Sequence, residues 1–137
     1  MDKKPFKLFG LLIAYLLLNS LLTACTSDNT LTLTTTDQGR SITLDTGQAL
    51  AVRLPSNPTT GYRWEIDTLN QQLLEPVGEV EFVQDDRGGE EFVGVGGVEV
   101  FHFLALEPGR SELKLIYHRT WESEAPLEIF EVSITIR

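Results

Sequence analysis

Cysteine is almost absent from this chain: Cys25 is the only one in 137 residues. An intramolecular disulfide, a multi-cysteine metal site and a redox pair are thereby excluded, because each needs at least two thiols. Histidine is nearly as scarce, and His102 and His118 show no metal-binding spacing such as His-Glu-x-x-His. The Gly-x-Ser-x-Gly elbow of serine hydrolases is missing. Basic residues are outnumbered, 11 against 20 acidic ones, for a formal net charge of −9. Phosphate binding needs clustered Lys and Arg, so nucleic acid is excluded as a partner. Such a surface has no pull towards anionic headgroups either; it suits solubility or a basic protein partner. Gly94-Val95-Gly96-Gly97 has no Lys-Ser/Thr after it, so it is not a phosphate-cradling loop. Asp85, Asp86, Glu90 and Glu91 do not follow the EF-hand spacing and read as a solvated acidic loop. With no acid–base–nucleophile set, an enzyme is the least favoured class, and neither cofactor nor metal is expected.

Long apolar runs are also missing, with one exception at the start. Lys3, Lys4 and Lys7 precede an apolar stretch from Leu8 to Leu22 that is broken only by Gly10, Asn19 and Ser20. A basic start, an apolar middle and small residues at the end make a secretory signal peptide. The run is shorter than the roughly 20 apolar residues of a membrane span. Leu22-Thr23-Ala24-Cys25 resembles the bacterial lipobox, in which cleavage before the cysteine is accompanied by lipidation. Lipid on Cys25 accounts for the single thiol, which becomes a thioether. The expected organisation is a lipoprotein signal peptide over 1–24, a lipidated cysteine and polar tether over 25–30, and one domain over 31–137. Removing Asp2, Lys3, Lys4 and Lys7 with the leader makes the remainder more acidic still. The exported protein is then held to the cell envelope by its lipid. Thr26, in place of the aspartate that signals inner-membrane retention, favours the outer membrane where the cell has one.

From Leu31 onward the pattern has period two. Leu31–Thr34, Ile42–Leu44, Ala49–Leu54, Tyr62–Ile66, part of Val77–Val83, Leu113–Tyr117 and Phe130–Ile136 alternate apolar and polar residues. Gly, Pro, Asn and Asp punctuate them, which is the signature of half-buried strands. In Val98–Glu107, Val98, Val100, His102, Leu104 and Leu106 share one face and Phe101, Phe103 and Ala105 the other. Apolar residues on both faces place this strand centrally, with His102 packed or half-exposed on a sheet. Leu69–Leu74 is the only stretch suited to a helical turn or two. Seven or eight short strands predict an all-β fold, an immunoglobulin-like antiparallel β-sandwich. The lone cysteine precludes the disulfide of antibody domains.

Three connections are unlike ordinary turns. Asn57-Pro58-Thr59-Thr60-Gly61-Tyr62 combines a fixed φ at Pro58, a side chain at Asn57 able to bond nearby backbone, and a glycine permissive of positive φ. Gln84–Gly97 has five glycines among fourteen residues and carries apolar Phe92, Val93 and Val95. Connections beyond about 12 residues are usually functional or disordered. Arg119-Thr120-Trp121-Glu122 places a tryptophan on a loop, either tucked into the core or exposed as a binding anchor.

In this order, N-P-T-T-G-Y, G-V-G-G and R-T-W resemble the motifs of chagasin-type inhibitors of papain-family cysteine peptidases, over about Leu31 to Arg137. Thr120 is a departure, since the family's third motif is usually Arg-Pro-Trp. The resemblance implies an immunoglobulin-like sandwich, acting as a monomer, with three loops projecting from one end as a wedge. It implies that Asn57, Pro58, Thr59, Thr60, Gly61 and Tyr62 form a peptidase-binding loop, in which Thr59 and Thr60 approach the catalytic cysteine of the peptidase. Gly94, Val95, Gly96 and Gly97 would lie along the non-primed side of the cleft. Trp121 would pack on the primed side, with Arg119 bracing its loop. The rival reading is an immunoglobulin-like surface module binding glycans or a neighbouring protein, which calls for aromatics in a flat row on one sheet face. A structural envelope lipoprotein is a third.

Overall fold

The structure, a computed structural model, describes residues 29–84 and 96–137. The leader, Cys25 and the stretch 85–95, with Phe92, Gly94 and Val95, lie outside the described residues. Among the described residues there are nine strands: β1 (Leu31–Leu33), β2 (Ser41–Leu44), β3 (Ala49–Ser56), β4 (Arg63–Thr68), β5 (Leu74–Pro76), β6 (Glu81–Gln84), β7 (Gly97–Ala105), β8 (Gly109–His118) and β9 (Glu128–Ile136). One sheet runs β1-β3-β7-β5, with β6 also paired to β7; the other runs β2-β9-β8-β4. The expected immunoglobulin-like sandwich is present, and β5 is the one strand that the alternation did not announce.

Each sheet turns one parity of its residues inward. Leu50, Val52 and Leu54 of β3 and Phe101, Phe103 and Ala105 of β7 face Trp64, Leu113, Leu115, Tyr117, Phe130, Val132 and Ile134 across the core. Phe103 and Phe130 are the largest fully buried side chains. Burying side chains of this size contributes about 1.5–3 kcal/mol each, which makes the two-sheet core the main source of stability. β7 is central, as its two apolar faces imply: β3 pairs along one side, and β5 and β6 share the other. His102 is half-exposed on its outer face, 4.0 Å from Glu81.

Five pairings are antiparallel, but β1 runs parallel to β3 and β2 parallel to β9. The chain crosses between sheets at β1, β2 and β3, so neither parallel pair is joined by a hairpin. Period-two patterning is blind to strand direction, which is why a purely antiparallel sandwich was the expectation. The helical turns expected at Leu69–Leu74 shrink to one turn. Leu73 and Leu74 donate to the Asn70 carbonyl and the Asn70 side chain accepts from Gln72 N–H, after which Leu74 opens β5.

The register brings the three unusual connections to one end. Ser56 at the end of β3 pairs with Gly97 at the start of β7, and Gly97 pairs in turn with Gln84 at the end of β6. In the other sheet Arg63, opening β4, pairs with His118, which closes β8. The roots of all three connections are therefore neighbours within or across the sheets.

Candidate functional site

The first loop is a closed unit. Pro58–Thr60 forms a 3-10 turn, with Pro58 at the position where a missing N–H costs nothing. Thr60 N–H donates to the Asn57 carbonyl (3.1 Å) and Gly61 N–H to the Pro58 carbonyl (3.0 Å). Asn57 caps the turn: its Oδ1 accepts from Thr59 N–H at 3.3 Å and from the Thr59 hydroxyl at 2.6 Å. The Thr60 hydroxyl donates back to the Asn57 carbonyl at 2.7 Å. Both threonine hydroxyls are thus spent on the loop itself, while Pro58, Thr59 and Thr60 stay exposed. Gly61 ends the turn at φ 80°, in the left-handed region that favours glycine.

The third loop is tied to the first by one arginine and one tryptophan. Arg119 Nε donates to the Thr60 carbonyl at 3.0 Å, and its guanidinium carbon stands 4.5 Å from the centre of the Tyr62 ring. Its Nη1 donates to Glu122 at 2.8 Å, and this hydrogen bond and charge push the guanidinium pKa up. Trp121 is 69 % exposed, yet its six-membered ring leans on Gly61. A Cβ at Gly61 would overlap Trp121 Cη2 and stand 2.9 Å from Cζ2, so only glycine fits beneath the indole. A shallow cleft of about 240 Å³, lined by Pro58, Gly61, Tyr62, Arg63, Thr120 and Trp121, separates the two loops.

Beneath the loops lies an aromatic stack. Tyr117 is sandwiched between Tyr62 (5.4 Å between ring centres) and Trp64 (5.1 Å). The Tyr117 hydroxyl accepts from Asn57 N–H at 3.0 Å, and Trp64 Nε1–H donates to the Pro55 carbonyl at 2.8 Å. Those bonds join the β4–β8 sheet to the end of β3. Tyr117 and Trp64 are buried, so the aromatics make a support and not the flat exposed row that stacking on sugars requires.

Of the residues singled out in the sequence, Asn57 to Tyr62, Gly96, Gly97, Arg119 and Trp121 come together at this end; Gly94 and Val95 fall outside the described residues. Gly97 is required by crowding, because a Cβ there would overlap the Val83 carbonyl oxygen and lie 2.8 Å from Phe82 Cζ. Sequence reasoning missed Tyr117, Trp64 and Glu99. The signal was parity: all three fall on the inward face of their strands, and Glu99 is an acid in the same parity as Phe101 and Phe103. Among the described residues no group of three His, Cys, Asp or Glu is placed to hold a metal.

Thr120 occupies the second position of a turn closed by Glu122 N–H donating to the Arg119 carbonyl at 3.1 Å. That is where proline is favoured in type I and II turns. The Thr120 N–H has no partner among the described residues, so a proline removes no hydrogen bond. Thr120→Pro is expected to raise stability by about 0.4–1 kcal/mol in chemical denaturation, through the unfolded chain's lost freedom. A lower denaturation midpoint would mean that the Arg119 backbone cannot accept a following proline.

The model of the chagasin family peptidase inhibitor I42 matches residues 43–136. Chagasin of Trypanosoma cruzi is 30% identical over 86 residues, covering 61% of this chain and 76% of that protein. Amoebiasin-1 of Entamoeba histolytica is 26% identical over 107 residues, 78% of this chain and 100% of the relative. In three dimensions the fold is similar to the crystal structure of the cysteine protease inhibitor EhICP2 from Entamoeba histolytica, with TM-score 0.68 and 21% identity over 79% of this chain and 95% of that one.

Proposed function

The chain belongs to the chagasin family of peptidase inhibitors, and from that premise we propose that it inhibits papain-family cysteine peptidases, reversibly and without covalent chemistry. The observation that carries this reading is the rigid end of the sandwich. A pre-formed Pro58–Thr60 turn, the Gly97 strand end and the exposed Trp121 share one end of the sandwich, and Arg119 ties the first loop to the third. Loops already held in one shape lose little freedom on docking, and each side chain that need not be ordered avoids roughly 0.5–1.5 kcal/mol.

The geometry also supports blocking without cleavage. Peptidase clefts take extended chain, as in strand addition. The first loop instead offers a closed turn whose Thr60 carbonyl already accepts from Arg119. Thr59 and Thr60 wedge into the cleft at the catalytic cysteine and exclude substrate and water. The glycine loop ending at Gly96 and Gly97, small enough for close backbone approach, runs along the non-primed side. Trp121 covers the primed side. The test is inhibition of papain by residues 26–137 in proportion to added protein; a stoichiometric excess without effect would refute it.

The same proposal places the inhibitor at the cell envelope, exported by its leader and held by lipid on Cys25, on the outer membrane where there is one. Its support is the sequence from Lys3 to Cys25. Expressed in a bacterium, the full chain should incorporate labelled palmitate and sediment with membranes. Cys25→Ala should lose the label; if it keeps the label, the anchor lies elsewhere.

A further inference from the structure

We infer that Glu99 is a positioning residue, the clamp that holds the first loop and the exit of the second in their inhibitory arrangement. The inference deepens the inhibitor reading and rests on it. Glu99 lies on the inward face of β7, two residues after Gly97, and is only 6 % exposed. One carboxylate oxygen accepts from the Ser56 hydroxyl at 2.7 Å and the other from Trp64 N–H at 2.9 Å. Ser56 is the residue before Asn57, and Trp64 follows Tyr62 and Arg63. A single side chain on the strand leaving the second loop therefore grips the chain on both sides of the first.

The clamp also bridges the two sheets. Ser56 and Glu99 belong to the β1-β3-β7-β5 sheet and Trp64 to β4, the outer strand of the other. Outer strands carry main-chain donors without a neighbouring strand, and at Trp64 the carboxylate supplies the missing acceptor. No cation pairs with Glu99 among the described residues, so those two hydrogen bonds are its compensation for burial. A buried acid without a counter-charge is a poor device for stability alone, since apolar side chains of similar volume usually serve as well or better. Its value lies in geometry, because it fixes three backbone segments relative to one another. It lines a groove of about 590 Å³ with Pro58, Trp64 and Phe82, and it stands at the base of this groove and not at the exposed tip.

Hydrogen-bond chemistry makes the inference testable. In Glu99→Gln the amide oxygen still accepts from Trp64 N–H, and the amide nitrogen donates to the Ser56 oxygen, whose hydroxyl can rotate. Glu99→Met keeps the length but leaves Trp64 N–H without an acceptor. Ile136→Ala, a core truncation at the opposite end of β9, serves as a destabilised control. The inhibition constant against papain should rise at least about tenfold for Glu99→Met, and stay within about threefold of wild type for Glu99→Gln and for Ile136→Ala. Amide exchange at Thr60 and Gly61, which donate inside the first loop, should accelerate in Glu99→Met alone. A methionine variant no weaker than the control, or a glutamine variant as weak as the methionine, would overturn the clamp. Should wild type fail to inhibit papain, the inhibitor reading falls, and the exchange rates still decide whether Glu99 holds the loop.

Discussion

Gly61→Ala should weaken inhibition of papain by about a hundredfold or more. Two costs combine at this position. Gly61 sits at φ 80°, where an L side chain is strained by about 1–2 kcal/mol. The new methyl group would also overlap Trp121 Cη2. The indole must move or the turn must open, and Arg119 Nε, bonded to the neighbouring Thr60 carbonyl, is disturbed either way. An unfolding free energy lowered by about 1–3 kcal/mol in chemical denaturation should accompany the lost inhibition. Wild-type inhibition and stability together in Gly61→Ala would show that the glycine is not held beneath the tryptophan.

The second large effect is at Trp121 itself. Its side chain is 69 % exposed, so removing it leaves the two-sheet core untouched and the fold intact. An exposed tryptophan on a rigid loop has the character of an interface hot spot, whose truncation costs about 2–4 kcal/mol. Trp121→Ala should accordingly raise the inhibition constant roughly 30- to 1,000-fold, chiefly through faster dissociation. Unchanged affinity would remove Trp121 from the interface. The two substitutions should not add: with the indole gone, alanine at position 61 loses its steric penalty and keeps only its backbone strain. A double-mutant cycle should return a coupling of about 0.5–3 kcal/mol, as expected of residues in contact.

Much of this arrangement is legible in the sequence because it is local. Asn57, Pro58 and Gly61 specify a capped turn ending in a positive φ, and those features reappear as the Asn57 cap, the Pro58–Thr60 turn and Gly61 at 80°. The alternation in β8 and β9 identified the core faces for the same reason, since burial in a strand repeats every second residue, while the two apolar faces of β7 marked it only as central. Partnerships over long separations were not legible. The hydrogen bond from Asn57 N–H to the Tyr117 hydroxyl spans 60 residues, and that from Ser56 to Glu99 spans 43. Neither leaves a mark in a pattern of period two. Strand direction was hidden too, so the parallel β1–β3 and β2–β9 pairs came only from the structure. Glu99 illustrates the boundary well. Its parity with Phe101 and Phe103 announces a buried acid, whereas the groups it binds follow only from the register of β3 with β7 and the meeting of the two sheets.

Arg119 shows how a motif gains meaning from its setting. In the sequence it precedes a tryptophan by two positions. In the structure it donates to the Thr60 carbonyl, covers Tyr62 and pairs with Glu122, so one guanidinium links the first and third loops. The fork geometry of arginine allows all three at once, which a lysine could not reproduce.

The most direct test is a titration of active papain with residues 26–137 at enzyme concentrations well above the inhibition constant. A reversible wedge in the active-site cleft predicts a linear fall in activity that reaches zero at one inhibitor per enzyme, with full activity regained after dilution and the inhibitor recovered uncut. Activity that persists at several-fold excess, or an inhibitor cleaved within the Asn57–Tyr62 loop, would contradict it.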